Sequence, residues 1–366
     1  MSFPTTQTAL ALTGKRKPLI TTTTQVFAPE ENEVLINVKW TTSTPLDLHQ
    51  ADGGLLIAAY PRLSHGGGAA GVVVAVGTGD VKGLAVGDAV STFAWHGGKE
   101  ANHQEYITVP ADLVSKIPQG ISLTDAVTVS VNLVTAIHTI TKDLELELPW
   151  PRPADWTPLH SQDPILIWGA SSSVGFYLIQ VLKHWGYSNV LAVASGRHRE
   201  ALLALGAKQV FDYTKPGAVE DINNAAPYIP YIVDCIGSVE GTLKPLTKIA
   251  KKDTKVAVML PAILQHASSS EAPEYEMDIA KVLPEAWAEG VVRRGVRTHF
   301  YTDNAFFKDK MQSEIVPTLL AQGVVKPNKV RIVEGNTMLE RGEKALALLR
   351  NQAVSGEKLV WKVSEE

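Results

Sequence analysis

Between Asp163 and Gly186 the chain reads DPILIWGASSSVGFYLIQVLKHWG. An apolar run, Ile165 to Trp168, stops at a cluster of small residues: Gly169, Ala170, Ser171, Ser172 and Ser173. It resumes at Val174 and Gly175 as an apolar segment long enough for a helix. A strand, a tight turn and a helix in that order leave the backbone N–H groups of the helix's first turn free, and those groups, with the helix dipole, suit a pyrophosphate. The spacing of a G-x-G-x-x-G fingerprint that ends at Gly175 puts its first two positions at Ala170 and Ser172. Both are small enough for a close backbone approach, and the three serines add hydroxyl donors. The turn is thus a candidate dinucleotide site whose confirmation lies in its context.

That context follows directly. A second apolar run, Val190 to Ala194, ends at Ser195, Gly196, Arg197, His198 and Arg199. About 20 residues past such a turn, an NAD site places a carboxylate on the ribose 2′-hydroxyl. Here Ser195 holds that place and basic side chains follow it. A carboxylate would repel a 2′-phosphate, whereas a guanidinium offers it a fork of charge-assisted bonds. The expectation is NADPH rather than NADH, with a solvated basic turn as the plain alternative.

The elements that must position these residues alternate strand and helix from Ile165 to about Thr302. Strands are expected at Ile165–Trp168, Val190–Ala194, Gln209–Asp212, Tyr231–Asp234, Lys255–Leu260 and Thr298–Tyr301, which implies a parallel sheet covered on both faces. Residues Ser268 to Glu276 read as a loop. Before this region, β-rich runs at Val34–Trp40, Gly71–Val76, Ala89–Phe93 and Glu105–Val109, broken by Gly, Asp and Pro, predict a compact antiparallel and partly barrel-like domain. Leu123–Ile140 reads as a helix leading into the middle domain. The five prolines between Leu146 and Pro164 forbid regular helix there; the reading is a surface insertion pinned by Trp150 and Trp156, with a partner-binding polyproline segment as the alternative. The tail adds helices at Phe306–Gln322 and Met338–Asn351 and strands at Val330–Val333 and Lys358–Val363.

Composition narrows the class. A chain of 366 residues, 45% hydrophobic and 20% charged, has room for two domains and a large core. Its net charge of −4 argues against a nucleic-acid partner. Cys235 is the one cysteine, so an internal disulfide and a thiolate-rich zinc cluster are both excluded. The N-terminus lacks the basic-then-apolar order of a signal peptide, and no run is read as a membrane span. The expected setting is cytoplasmic, without a membrane; monomer and homodimer stay open.

GVVVAVG (71–77), VGDAV (86–90), QEYITVPADLVSKIP (104–118), the GASSSVG turn and LGAKQVFDY (205–213) together resemble the medium-chain dehydrogenase/reductase superfamily over nearly the whole chain. The proline-rich insertion, YIVDCIGSVEGT (231–242) and SGEKLVWKV (355–363) are similar to fungal zinc-free members, among them trans-acting enoyl reductases of polyketide synthases. The resemblance implies an α/β chain: a GroES-like β-barrel catalytic domain (1–130), a Rossmann-fold NADP-binding domain (131–302) and a C-terminal return to the catalytic domain (303–366). Zinc-using relatives take a Cys in the early loop and a Gly-His-Glu further on. Here the loop Thr42–Asp47 has no Cys, glycines 66 to 68 fill the second place, and His65 lies off register. His96, His103 and Glu105 match no ligand spacing, so no metal is expected. By the same resemblance, Pro45, Leu46, Asp47 and Leu48 lie near the nicotinamide and Ser171 to Val174 at the pyrophosphate. Ser195 to His198 take the 2′-phosphate, Tyr213 the adenosine side, Met259 and Leu260 the nicotinamide ribose, and Leu359 and Val360 the cleft wall.

Thr44 stands where relatives commonly carry Asn, and Tyr60, His49 and His96 are candidate proton donors, with bulk water as the alternative. Without a Lewis acid to activate an alcohol, the expected chemistry is hydride delivery to an already electrophilic carbon, which positioning and fixed dipoles can support. The leading reading is an NADPH-dependent reductase of an enone or enoyl thioester, small or carrier-tethered. A quinone reductase and a non-catalytic NADPH-binding protein are the alternatives.

Overall fold

The computed structural model describes residues 3–364. Contacts divide the chain into two units. The first runs through Val131 and takes in Ala267–Ala272 and everything from Tyr301 onward; the second comprises Asn132–His266 and Pro273–Phe300.

The first unit is built around the eleven-residue strand Glu33–Ser43. Val34, Leu35, Ile36 and Val38 are fully buried in it, so both faces of its first half are covered. Its antiparallel partners are Ala69–Val76, Tyr106–Pro110 and the last strand, Lys358–Lys362. Register shifts between Leu35 and Ile36 and between Val38 and Trp40 bend the strand, the means by which a sheet curls toward a barrel. Ala89–Thr92 and Val114–Lys116 extend the sheet on one side, and Val330–Ile332 on the other. A separate three-stranded sheet pairs Thr6–Leu12 with Ile20–Gln25 on one side and Arg62–Leu63 on the other.

One helix here was expected as loop. Thr44 caps the helix Pro45–Gly53: its hydroxyl accepts the Leu46 N–H, and the Asp47 carboxylate accepts the Thr44 N–H at 2.6 Å. Pro at the first position and a capping box start a helix even where amphipathic patterning is faint. Gly54, at φ +69°, ends it.

The second unit carries six parallel strands in the spatial order Gln209–Asp212, Val190–Ala194, Ile165–Trp168, Tyr231–Asp234, Lys255–Met259, Val292–Val296. Numbered along the chain from Ile165–Trp168, this is the order 3-2-1-4-5-6. The sixth strand corrects the sequence reading, which placed it at Thr298–Tyr301. That stretch belongs to a 3₁₀ turn, Thr298–Asp303. Arg293 and Arg294 hid the true strand, because their heads are taken up locally: Arg294 donates to the Asp143 carbonyl at 2.9 Å and to Glu145 at 2.7 Å, Arg293 to the Val282 carbonyl at 3.2 Å. Within the expected loop 268–276, Glu274–Glu276 pairs instead with Ala262–Gln265.

The helix expected at Leu123–Ile140 forms as Leu123–Ala126 and Ser130–His138, closing with a π turn at Thr139–Asp143. Contrary to expectation, this region is long and apolar enough to cross a membrane by length and composition; in the fold 78% of its most apolar window is buried, as in a core helix. Phe306–Gln322 likewise forms as Ala305–Lys310, a π turn Met311–Ile315, and Val316–Ala321. The insertion is anchored by its backbone: Trp185 Nε1 donates to the Pro149 carbonyl at 3.0 Å and the Tyr187 hydroxyl to that of Glu147 at 2.9 Å, while the Trp150 and Trp185 rings lie 6.4 Å apart.

Candidate functional site

In the second unit the connections after the first and fourth strands run to opposite sides of the sheet, the place beyond the carboxyl ends where sheets of this order hold ligands. The small-residue turn sits there. Gly169, at φ +77°, follows Trp168 directly, and the N–H groups of Gly169 and Ala170 both donate to the Val193 carbonyl at 3.0 Å. Ser172 caps the helix Ser173–His184, its hydroxyl accepting the Gly175 N–H at 3.1 Å. The N–H groups of Ser173 and Val174 precede the first helical donor, the Phe176 N–H on the Ser172 carbonyl, and so have no partner within the helix. A Cβ on Gly175 would lie 2.6–2.8 Å from backbone atoms of Gly169 and Ala170. Only glycine lets the helix start this close to the turn. The result is a helix start packed against the turn with no space for a side chain at Gly175, its first N–H groups left outside the helical ladder.

The fourth strand ends on a buried carboxylate that sequence reasoning missed. Asp234 is fully buried; its Oδ1 accepts the Ile236 N–H at 3.0 Å and its Oδ2 the Thr242 hydroxyl at 2.6 Å. Burial pushes its pKa up to about 6 against these bonds. It shapes the turn that carries half-buried Cys235, whose thiol burial holds well above its usual range. Met259 and Leu260, both half-buried, close the fifth strand nearby: a Cβ on Gly237 would lie 2.6 Å from the Met259 carbonyl.

At the end of the second strand, Ser195 leads into a 3₁₀ turn, Gly196–His198. Arg197 is exposed and its Nε donates to His198 Nε2 at 3.2 Å. Arg199 is diverted, its guanidinium bonding the Val210 carbonyl at 2.8 Å. The corner also holds a carboxylate not foreseen: Asp212, at the end of the neighbouring strand, accepts the Thr214 hydroxyl at 2.7 Å and N–H at 3.0 Å, and bonds the Gly196 backbone. These bonds hold its pKa below the usual carboxylate range. Tyr213, half exposed, lines a cavity of about 210 Å³ with Trp168, Lys215 and Lys248. A larger cavity, about 330 Å³, opens among Pro164, Pro230 and Asp253 at the amino ends of the strands, away from the glycine turn.

In the first unit, Pro45 is exposed and Leu46 half-buried, whereas Asp47 and Leu48 turn inward. Leu359 and Val360 are buried beside them in the ladder, opposite Ser43 and Thr42. Gly66 is confined by the helix start, since a Cβ there would lie 2.6 Å from the Asp47 carboxyl carbon. The proton-donor candidates fare differently. His96 is bound through Nδ1 to Glu100 at 2.8 Å, His49 is half-buried, and the Tyr60 hydroxyl is buried with no hydrogen-bond partner. His65 hydrogen-bonds Arg62 at 2.8 Å, and burial beside that cation lowers its pKa to about 4.

Zinc does not fit these side chains. His103 is buried between the Ser64 hydroxyl and the Thr42 carbonyl, Glu105 accepts the Thr8 N–H, and among the described residues no three His, Cys, Asp or Glu side chains converge as a ligand set.

Comparison with known proteins is consistent along the chain. Residues 30–119 match the family model described as alcohol dehydrogenase GroES-like domain, and residues 173–267 the one described as zinc-binding dehydrogenase. The trans-enoyl reductase tazE of Aspergillus terreus is 32% identical over 236 residues, which cover 61% of this chain and 74% of that protein. The trans-enoyl reductase buaC of Petromyces alliaceus is 25% identical over 375 residues, 98% of each chain. Among solved structures, the Escherichia coli quinone oxidoreductase complexed with NADPH superposes with a TM-score of 0.73 at 18% identity, covering 98% of this chain and 99% of that one. The CurK enoyl reductase superposes at 0.72 and 17% identity, covering 97% and 99%.

Proposed function

The chain belongs to the medium-chain dehydrogenase/reductase superfamily of oxidoreductases, and on that premise we propose that it is a zinc-independent, NADPH-dependent reductase of an activated carbon–carbon double bond. The observation that carries the reading is the tight strand–turn–helix at Gly169–Gly175, whose first helical N–H groups suit a phosphate, in a chain where, among the described residues, no three donor side chains gather as a zinc site. The trans-enoyl reductases among its relatives support the substrate class.

When bound, NADPH would supply the hydride. The chain's own part is to hold, orient and shield. The N–H groups of Ser173 and Val174 take the pyrophosphate, with the Ser171 hydroxyl beside them. Arg197 and His198 bind the 2′-phosphate, and Tyr213 covers the adenosine side. Met259 and Leu260 border the nicotinamide ribose. Pro45 and Leu46 supply the exposed nicotinamide contacts of the first unit, with Leu48, Leu359 and Val360 as the apolar wall behind them. The β-carbon of an enone or enoyl thioester is electrophilic already, so orientation and fixed dipoles suffice for addition. The α-carbon then takes its proton from solvent; the Tyr60 hydroxyl, buried here, would have to become exposed to supply it.

The test is isotopic. With C4-deuterated NADPH and an enone, deuterium is expected at the β-carbon, solvent deuterium at the α-carbon, and the carbonyl retained. Label on the carbonyl carbon overturns the proposal. Oxidation of NADPH by quinones alone identifies a quinone reductase, and none with either class a binding protein without turnover.

A further inference from the structure

Two buried aspartates lie on the helix Pro45–Gly53, and they are held in opposite ways. Asp52 is 1% exposed and directly paired, its two oxygens each 2.7 Å from the Arg350 guanidinium. That is the geometry of a structural ion pair. Asp47 is 3% exposed and only half satisfied. Its Oδ2 closes the capping box on Thr44. Its Oδ1 has no hydrogen bond and sits 3.6 Å from His103 Nε2. A buried carboxylate oxygen without a hydrogen bond is a net cost to folding, so its placement calls for another account than stability.

The surroundings supply one. His103 is 3% exposed and bridges two segments, with Nδ1 at 2.9 Å from the Ser64 hydroxyl and Nε2 at 3.3 Å from the Thr42 carbonyl. Lys358 is 5% exposed, a buried ammonium whose attraction to Asp47 opposes the burial that lowers its pKa to about 8. The remaining charged groups around this corner are engaged elsewhere: Arg62 with His65, and Arg350 with Asp52. Lys358 immediately precedes Leu359, whose ladder partner is Ser43, the residue before the Thr44 cap. Trp361 continues the same strand, donating to the Ser43 hydroxyl at 2.9 Å and packing 4.8 Å from the His103 ring. The three ionisable groups therefore join the helix start, the 64–66 segment and the last strand.

We infer that Asp47, His103 and Lys358 act as one buried positioning node, setting the Thr44–Leu48 turn against the Leu359–Val360 strand. The inference rests on the proposed reductase reading, in which those two segments face the nicotinamide. Asp47 faces His103 at 3.6 Å and feels the attraction of buried Lys358, which only partly offsets their burial, so removing one charge leaves the others less balanced, while removing both Asp47 and Lys358 takes the opposed charges out of the corner together.

The experiment compares Asp47→Asn, Lys358→Met and the double variant in melting temperature and in kcat and KM for an enone, with Asp52→Asn as a structural control. Each single variant is expected to lower kcat at least tenfold with KM moving less than threefold, and the double variant to recover most of both kcat and melting temperature. Lys358→Arg, which keeps the charge, is expected to retain more kcat than Lys358→Met. Asp52→Asn is expected to lower melting temperature alone. Singles that melt earlier yet keep kcat, or a double variant whose losses simply add, overturn the node. A wild type inert toward enones sinks the reductase reading instead; the node is then judged by coupling in melting temperature alone, where additivity overturns it and recovery supports it.

Discussion

Gly175 shows how little freedom the cofactor turn leaves. Gly175→Val would force a side chain into backbone 2.6–2.8 Å away, moving the helix off the turn, and is expected to abolish measurable NADPH binding by fluorescence titration while lowering the melting temperature. Full affinity in the variant would mean that the pyrophosphate lies elsewhere. At the 2′-phosphate corner, Arg197 is exposed while Arg199 is spent on the Val210 carbonyl and Asp212 adds a negative charge. Arg197 therefore carries more of the preference than the sequence cluster suggests. NADPH is expected to bind at least tenfold more tightly than NADH, about 1.4 kcal/mol, and Arg197→Glu to erase that margin with little change for NADH. Equal affinities in the wild type would remove the argument. The glycine turn was legible because its spacing is local. Asp212 and Asp234 were not, since their meaning depends on which strand ends become neighbours.

Elements were legible wherever patterning is regular and obscure wherever a cap or a side-chain bond replaces it. The helix Pro45–Gly53 announces itself only through Thr44, Pro45 and Asp47, and the edge strand Val292–Val296 is masked by two arginines whose heads turn back to carbonyls. The π turn Thr139–Asp143 has its own consequence. Asp143 is 6% exposed, its Oδ2 unbonded, and burial raises its pKa to about 7 against the pull of Arg294 and Lys142. A carboxyl whose folded pKa is raised contributes its stability below the unfolded value, near 3.8, and loses it as pH climbs through about 7. Wild-type stability is therefore expected to fall between pH 5 and pH 8 relative to Asp143→Asn, by about 3 kcal/mol on the usual scale of 1.36 kcal/mol per pKa unit. Urea melts at the two pH values read this directly. Parallel pH slopes for the two proteins would show that Asp143 is not the titrating group.

At the scale of the whole molecule, the first unit is assembled from sequence-distant pieces: its last strand, Lys358–Lys362, pairs with Glu33–Ser43 across more than 300 residues. Such long-range pairing brings Lys358 and Trp361 to Asp47 and His103, which explains why no spacing rule could find that cluster. It also bears on metal. The chain's one thiol, Cys235, lies in the second unit and burial raises its pKa, whereas Asp47, His65 and His103 of the first unit are bonded to Thr44, Arg62, Ser64 and Thr42. A zinc ion needs three or four deprotonated ligands converging at about 2.0–2.3 Å, and recruiting them here would break the helix cap and the bonds that hold His103. The purified protein is therefore expected to carry well under one zinc per chain by elemental analysis, and a chelator to leave melting temperature and enone turnover unchanged. One tightly held zinc per chain, with turnover lost on its removal, would show that the first unit rearranges around a metal and would restore alcohol oxidation as its chemistry.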